Sequence, residues 1–319
     1  MNYIYLQPAT IRFKWELEVA ISNLIDLGVT PEQIWLVFSI DKEGIPKYLY
    51  DTYGVNVFLY KDDRDDKRYI PSIRPYLWMR FLEDNPEMQM ENFCYLDSDT
   101  IFRELPNWDT ALPKLSKTTW YGSDCDSYLG TAYIDSKDKD LFTEMVKATD
   151  LPDSEAVRHS SSEIQDIIGA TWVISQPQAS FWERAYYNSN SLYTFLSNVE
   201  PDYIHKHKVN DADYVPIQKW TAEMWAVLWT AWEEGINTIA SPELLFSWAT
   251  DKEESWYQYK LFHNAGVVNE DMGLFFKGNY LNKTPFNDIL TGKIPRSDKA
   301  SQHYVDKIMK VTKKLGKQL

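Results

Sequence analysis

Two carboxylates two residues apart, Asp97 and Asp99, close the run Phe93-Cys94-Tyr95-Leu96-Asp97-Ser98-Asp99-Thr100. The four residues before them have the composition of a buried strand, and on an extended chain positions i and i+2 face the same way. Acids at the carboxyl end of a strand sit where open α/β sheets bind ligands. Side by side they repel each other unless a cation lies between or near them. A hard divalent ion with oxygen ligands resolves that repulsion, and a diphosphate completing its shell is neutralised as it leaves. The competing reading is a solvated strand end, because Asp is common in turns and Asp-x-Asp is a short motif.

The elements that would position this pair are those of a mostly parallel sheet with crossover helices. Tyr3–Gln7, Ile34–Ser39, Val55–Tyr60 and Phe93–Leu96 read as strands. Lys14–Leu27 spaces Trp15, Leu17, Val19, Ala20, Leu24 and Leu27 for a buried helix face, and Gly28 stops it. Thr30-Pro31-Glu32-Gln33 has the signals of a single capped turn. A third helix, Ser72–Asp84, leads into the acidic strand. No GxGxxG or GxxxxGK[ST] is present, so phosphate must be held by other means. Further along, Thr118–Tyr121 and Thr171–Ser175 read as strands, while Phe181–Asn188, Trp220–Glu234, Ser241–Trp248 and Val305–Leu315 read as helices.

Composition bounds the function class. With 44% hydrophobic and 25% charged residues among 319, the chain is expected to bury a sizeable core. No apolar run approaches the roughly 18 residues that span a bilayer, and the first ten residues lack a signal-peptide pattern, so a cytoplasmic protein is expected. Cys94 and Cys125 have no zinc-site spacing and are expected to be reduced and structural. A net charge of −14 disfavours avid nucleic-acid binding. Residues 293–319 are an exception, with eight Lys or Arg against two Asp. This basic helical tail is expected to rest on nucleic acid, on a membrane surface, or on the body of the protein.

The Asp97-Ser98-Asp99 motif after such a nucleotide-binding half resembles the DxD of GT-A glycosyltransferases. Phe262-His263-Asn264-Ala265-Gly266 resembles the HxxG segment of retaining GT-A families such as the glycogenin-like enzymes. The resemblance implies that His263 completes a metal site with Asp97 and Asp99, and that the Gly266 backbone approaches the diphosphate. An imidazole suits Mn²⁺-like ions in an otherwise oxygen shell. The Lys-Pro-Trp that follows HxxG in glycogenin-like proteins is missing, so Lys277 or Lys283 would supply that phosphate contact. Arg74-Pro75 with Trp78, Phe81 and Leu82, then Ile168-Gly169-Ala170-Thr171, then Trp220-Thr221-Ala222-Glu223-Met224 look like segments of the peptidyl-serine galactosyltransferase and hydroxyproline arabinosyltransferase group. These matches are scattered over roughly residues 70–270.

The implied fold is an α/β GT-A-type, Rossmann-like mixed sheet flanked by helices. A glycosyltransferase domain would occupy residues 1–292, with a nucleotide-binding half to about 105, followed by a helical C-terminal extension over 293–319. Glu223 is expected to face the acceptor, since the dipole of its helix favours a carboxylate there. In an inverting reaction it would remove the acceptor proton; in a retaining one it would steady the acceptor or an oxocarbenium-like sugar. Arg74 is expected to reach the diphosphate or sugar. Asp124, in a further Asp-x-Asp at Asp124-Cys125-Asp126, is expected on a loop that binds acceptor or sugar. Asp62–Lys67 and His205-Lys206-His207 read as solvated loops, and thirteen Trp exceed what packing alone needs.

The expected cofactors are Mn²⁺ or Mg²⁺ and a nucleoside diphosphate sugar, a UDP-sugar first. The acceptor is a hydroxyl. An acidic, compact chain with a basic tail is similar to phage-encoded glycosyltransferases that modify hydroxymethylated pyrimidines in DNA, which would place it in a host cytoplasm. Surface polysaccharide and protein hydroxyls are the rival acceptors. The rivals of other kinds are a noncatalytic carbohydrate- or nucleic-acid-binding module and a metal nuclease or nucleotidyltransferase. Oligomeric state is open.

Overall fold

A computed structural model describes residues 1–39, 44–151, 157 and 165–316. Seven strands form one mixed sheet: β1 (Asn2–Pro8), β2 (Ile34–Ser39), β3 (Asn56–Tyr60), β4 (Asn92–Tyr95), β6 (Thr119–Asp124), β7 (Ile168–Ser175) and β8 (Asn237–Ala240). Their order is β3-β2-β1-β4-β7-β6-β8, with β1–β2, β2–β3 and β6–β8 parallel and β6–β7 antiparallel. Helices flank it, so the expected mixed α/β class is what the chain adopts. By contact density the chain divides into two compact units. One comprises Met1–Lys61, Cys94–Pro113 and Ser241–Leu319; the other comprises Asp62–Phe93 and Lys114–Ala240.

In the first unit, helix α1 spans Ile11–Asp26, starting one turn before the expected Lys14, so that Arg12 is helical. Helix α2 (Ile45–Tyr53) escaped the sequence reading because its apolar stripe is short. Its limits are set by Gly44 and Gly54, both left-handed at φ +71° and +68°, a conformation only glycine adopts freely. Three very short strands, β5 (Thr100–Phe102), β9 (Phe246–Trp248) and β10 (Leu261–His263), make a second sheet in the order β5-β10-β9. Ser241–Trp248 is therefore not a helix. Pro242 opens a single 3₁₀ turn, and Phe246-Ser247-Trp248 then extends to pair with β10.

The basic tail forms the helix Ser301–Leu315. Its apolar stripe, Tyr304, Val305, Ile308 and Val311, is buried in one cluster with Trp15, Val19, Phe262 and Phe275. The stripe is thus used for packing on the unit's own core, while Lys310, Lys313 and Lys314 remain exposed. Residues 317–319 of the tail lie outside the described residues.

In the second unit, helix α3 (Ile73–Asp84) packs on the helix Ala179–Lys208, with Trp78 stacked on Trp182 at 4.9 Å between ring centroids. That second helix runs far beyond the expected Asn188, because Trp182, Ala185, Ser189, Leu192 and Leu196 continue a buried stripe at helical spacing through a polar stretch. It carries His205-Lys206-His207 in its last turn, not in a loop, and His207 stacks on Tyr214 and meets Asp138 at 2.9 Å. The Asp62–Lys67 segment is not simply solvated either. Arg64 is 7% exposed, held by Asp62, by the Tyr69 carbonyl and by Ser72 Oγ. Most of the thirteen tryptophans serve packing after all: Trp15, Trp78, Trp120, Trp172, Trp182, Trp225, Trp229 and Trp232 are buried.

Candidate metal centre

The acidic motif sits at a turn between two strands. β4 is buried through Phe93, Cys94 and Tyr95, and Thr100 N–H donates to the Asp97 carbonyl at 3.1 Å, which closes the turn before β5. β5 then pairs antiparallel with β10 in a register that sets His263 opposite Thr100. The Asn264 N–H donates to the Asp99 carbonyl at 3.0 Å. This short-strand pairing carries a histidine from the far end of the chain to the two acids. His263 Nε2 lies 3.3 Å from Asp99 Oδ1 and 3.5 Å from Asp97 Oδ2. Its ring is held between neighbours, stacked on Trp248 at 5.9 Å and edge-on to Phe246 at 5.4 Å.

One ligand atom from each of Asp97, Asp99 and His263 lies within 4.8 Å of the other two. Two carboxylate oxygens and an imidazole nitrogen at this spacing fit a divalent ion that takes oxygen ligands and tolerates one nitrogen. Lys277 Nζ donates to Asp99 Oδ2. Burial by itself would raise the Asp99 carboxyl, which is 3% exposed, but Lys277 and His263 outweigh it and hold the group well below the usual carboxylate range. Burial likewise opposes protonation of His263, and Asp99 and Asp97 overcome it to raise the imidazole. Gly266 is exposed and left-handed at φ +90°. A Cβ there would meet Thr250 at 3.5 Å and Trp248 at 4.0 Å, both ordinary contacts, so backbone conformation and not crowding calls for glycine.

Two residues that the sequence reading passed over stand behind the acids. Glu16, wholly buried on α1, accepts from Ser98 Oγ at 2.5 Å and from Arg12 Nε at 2.9 Å. Burial, with Asp99 adding to it, raises the Glu16 carboxyl. The available signal was the interruption of an apolar helix face by acids in Trp15-Glu16-Leu17-Glu18-Val19.

The remaining predicted residues belong to the second unit. Glu223 lies in the first turn of the helix Ala222–Glu233 and is 3% exposed. Its Oε2 accepts from Arg74 Nη2 at 2.7 Å, and its N–H donates to Tyr69 Oη at 2.8 Å. Arg74 and Glu223 are therefore partners of each other. Asp124 is exposed at the end of β6, where its Oδ1 accepts from the Asp126 N–H at 3.0 Å.

No protein-family model matches the chain, and no curated protein sequence does. Solved structures similar to it include the apo bifunctional glycosyltransferase WbbM, at 9% identity and a TM-score of 0.46, covering 98% of this chain and 49% of that one. This chain thus spans about half the length of WbbM. The galactosyltransferase LgtC with donor and acceptor sugar analogues is similar at 11% identity and a TM-score of 0.45, covering 95% of this chain and 100% of that one.

Proposed function

We propose that this chain is a metal-dependent GT-A glycosyltransferase that moves a sugar from a nucleoside diphosphate sugar, a UDP-sugar first, to an acceptor hydroxyl. The observation that carries this reading is the convergence of Asp97, Asp99 and His263 at the end of a strand in a largely parallel half-sheet. Ligands bind at the carboxyl ends of such strands. Asp99 and His263 would hold Mn²⁺ or Mg²⁺, and Asp97 would bridge the metal and the ribose or sugar. When bound, the ion supplies charge neutralisation for a leaving diphosphate. Lys277 and the Gly266 backbone would face that diphosphate, and the depressed carboxyl of Asp99 keeps a ligand anionic at any physiological pH.

On the acceptor side we assign Glu223, held in place by Arg74, and Asp124. A carboxylate fixed by a guanidinium keeps its charge and orientation, which suits steadying an acceptor or a cationic sugar. For the acceptor itself, hydroxymethylated DNA is favoured by the exposed Lys310, Lys313 and Lys314 of the tail helix, a basic face on an acidic protein. Among the described residues no helix is long and apolar enough to cross a membrane.

The test is mass spectrometry of products formed from a panel of nucleotide sugars with hydroxymethylated DNA, protein and glycan acceptors. Sugar transfer that stops on addition of a chelator supports the reading. Strand cleavage or nucleotide incorporation in place of sugar transfer contradicts it, and sugar transfer to protein or glycan alone contradicts the DNA assignment.

A further inference from the structure

Arg12 has no part in the roles assigned so far. It lies in the first turn of α1, directly after β1, with Nε donating to Glu16 Oε1 at 2.9 Å. The second oxygen of that same buried carboxylate holds Ser98, the residue between the two acids. Glu16 thus ties the guanidinium and the Asp97–Asp99 turn to one anchor. Burial works against the charge of Arg12, but Glu16, Asp99 and Asp97 all act on it and keep it a cation. Among the described residues its terminal nitrogens Nη1 and Nη2 have no hydrogen-bond partner, and the side chain is 29% exposed.

A guanidinium tied at Nε and open at both terminal nitrogens still presents two forward donors, the geometry that matches phosphate oxygens. Lys277 and His263 already answer Asp99, so Arg12 is not needed to neutralise the acids. Its charge instead opposes a cation placed between them and favours an anion placed over them.

We infer that Arg12 is a binding residue for the diphosphate of the nucleotide donor, with Glu16 as the residue that positions it. The inference rests on the nucleotide-sugar reading above. It carries an unusual signature, because removing Arg12 should weaken diphosphate binding without weakening binding of the metal ion at the same site. A residue that only supports the fold would weaken both.

Calorimetric titration of wild type, Arg12→Ala and Arg12→Lys with Mn²⁺ alone, and then with UDP and UMP at saturating Mn²⁺, separates the cases. For Arg12→Ala, UDP should bind roughly ten- to a hundredfold more weakly, the usual cost of one charge-assisted contact. UMP should lose less, and Mn²⁺ alone should bind as in wild type or up to a few-fold tighter. Arg12→Lys should recover part of the UDP affinity, and it carries the test if the alanine variant does not fold. UDP affinity unchanged in both variants overturns the inference alone, as does a parallel loss of Mn²⁺ and UDP binding. Wild-type protein that binds no nucleotide with Mn²⁺ overturns the proposed function, and this inference with it.

Discussion

Two of the chain's Asp-x-Asp tripeptides, Asp97-Ser98-Asp99 and Asp124-Cys125-Asp126, each fall at the end of a strand, with different outcomes. In the first, Asp99 is buried against a histidine and a lysine that come from distant sequence. In the second, both acids are exposed and their bonding is local: Asp124 accepts from the Asp126 amide. A Cβ on Gly130 would fall 2.1 Å from Asp126 Oδ1, so the turn closes tightly on itself. Spacing alone therefore sets the direction of two carboxylates. Whether they can hold a cation depends on what the rest of the fold brings to them.

The largest expected effect is at the first motif. Asp99→Asn should lower sugar transfer by roughly three orders of magnitude or more, since it removes both a proposed metal ligand and the electrostatic stabilisation that follows from it. Product formation within tenfold of wild type would break the contrast between the two motifs. Glu223→Gln should come next, lowering turnover by about ten- to a hundredfold with donor affinity preserved, because size is kept and charge is lost. Loss of donor affinity at unchanged turnover would move Glu223 off the acceptor side. Asp124→Asn should be smaller still, raising the acceptor KM by about two- to tenfold with kcat unchanged, the worth of one ordinary hydrogen bond.

The smallest effect is one of stability. The Asp99 carboxyl is held low in the folded protein, so in metal-free protein its contribution is fully present above the ordinary Asp value of about 4 and is lost as pH falls through the folded value. Denaturant unfolding of wild type and Asp99→Asn should therefore converge in acid. A stability gap that stays constant down to pH 2 would contradict the coupling to Lys277 and His263.

The first hundred residues were legible because their strands are apolar runs bounded by turns. β2 falls at Ile34–Ser39 and α3 ends at Asp84, as the patterns indicate. The three-residue strands that bring His263 to Asp99 were not legible. They are too short to show a period, and they exist only by pairing with one another. The same limit explains why Phe246–Trp248 read as helix. Glu16 was hidden for another reason: a buried carboxylate inside an apolar helix breaks the rule by which helices are recognised, and its partners Ser98 and Arg12 are named only by the fold.

In the proposed function, Asp97, Asp99 and His263 act together to hold the ion on which nucleotide binding depends. UDP titrated calorimetrically into wild-type protein, with Mn²⁺ and then with a chelator, and into Asp97→Asn, Asp99→Asn and His263→Ala with Mn²⁺, tests it directly. Wild type is expected to bind only when Mn²⁺ is present, and all three variants to lose that Mn²⁺-dependent binding while they remain folded. UDP binding that is indifferent to the chelator, or that survives intact in Asp99→Asn and His263→Ala, would contradict it.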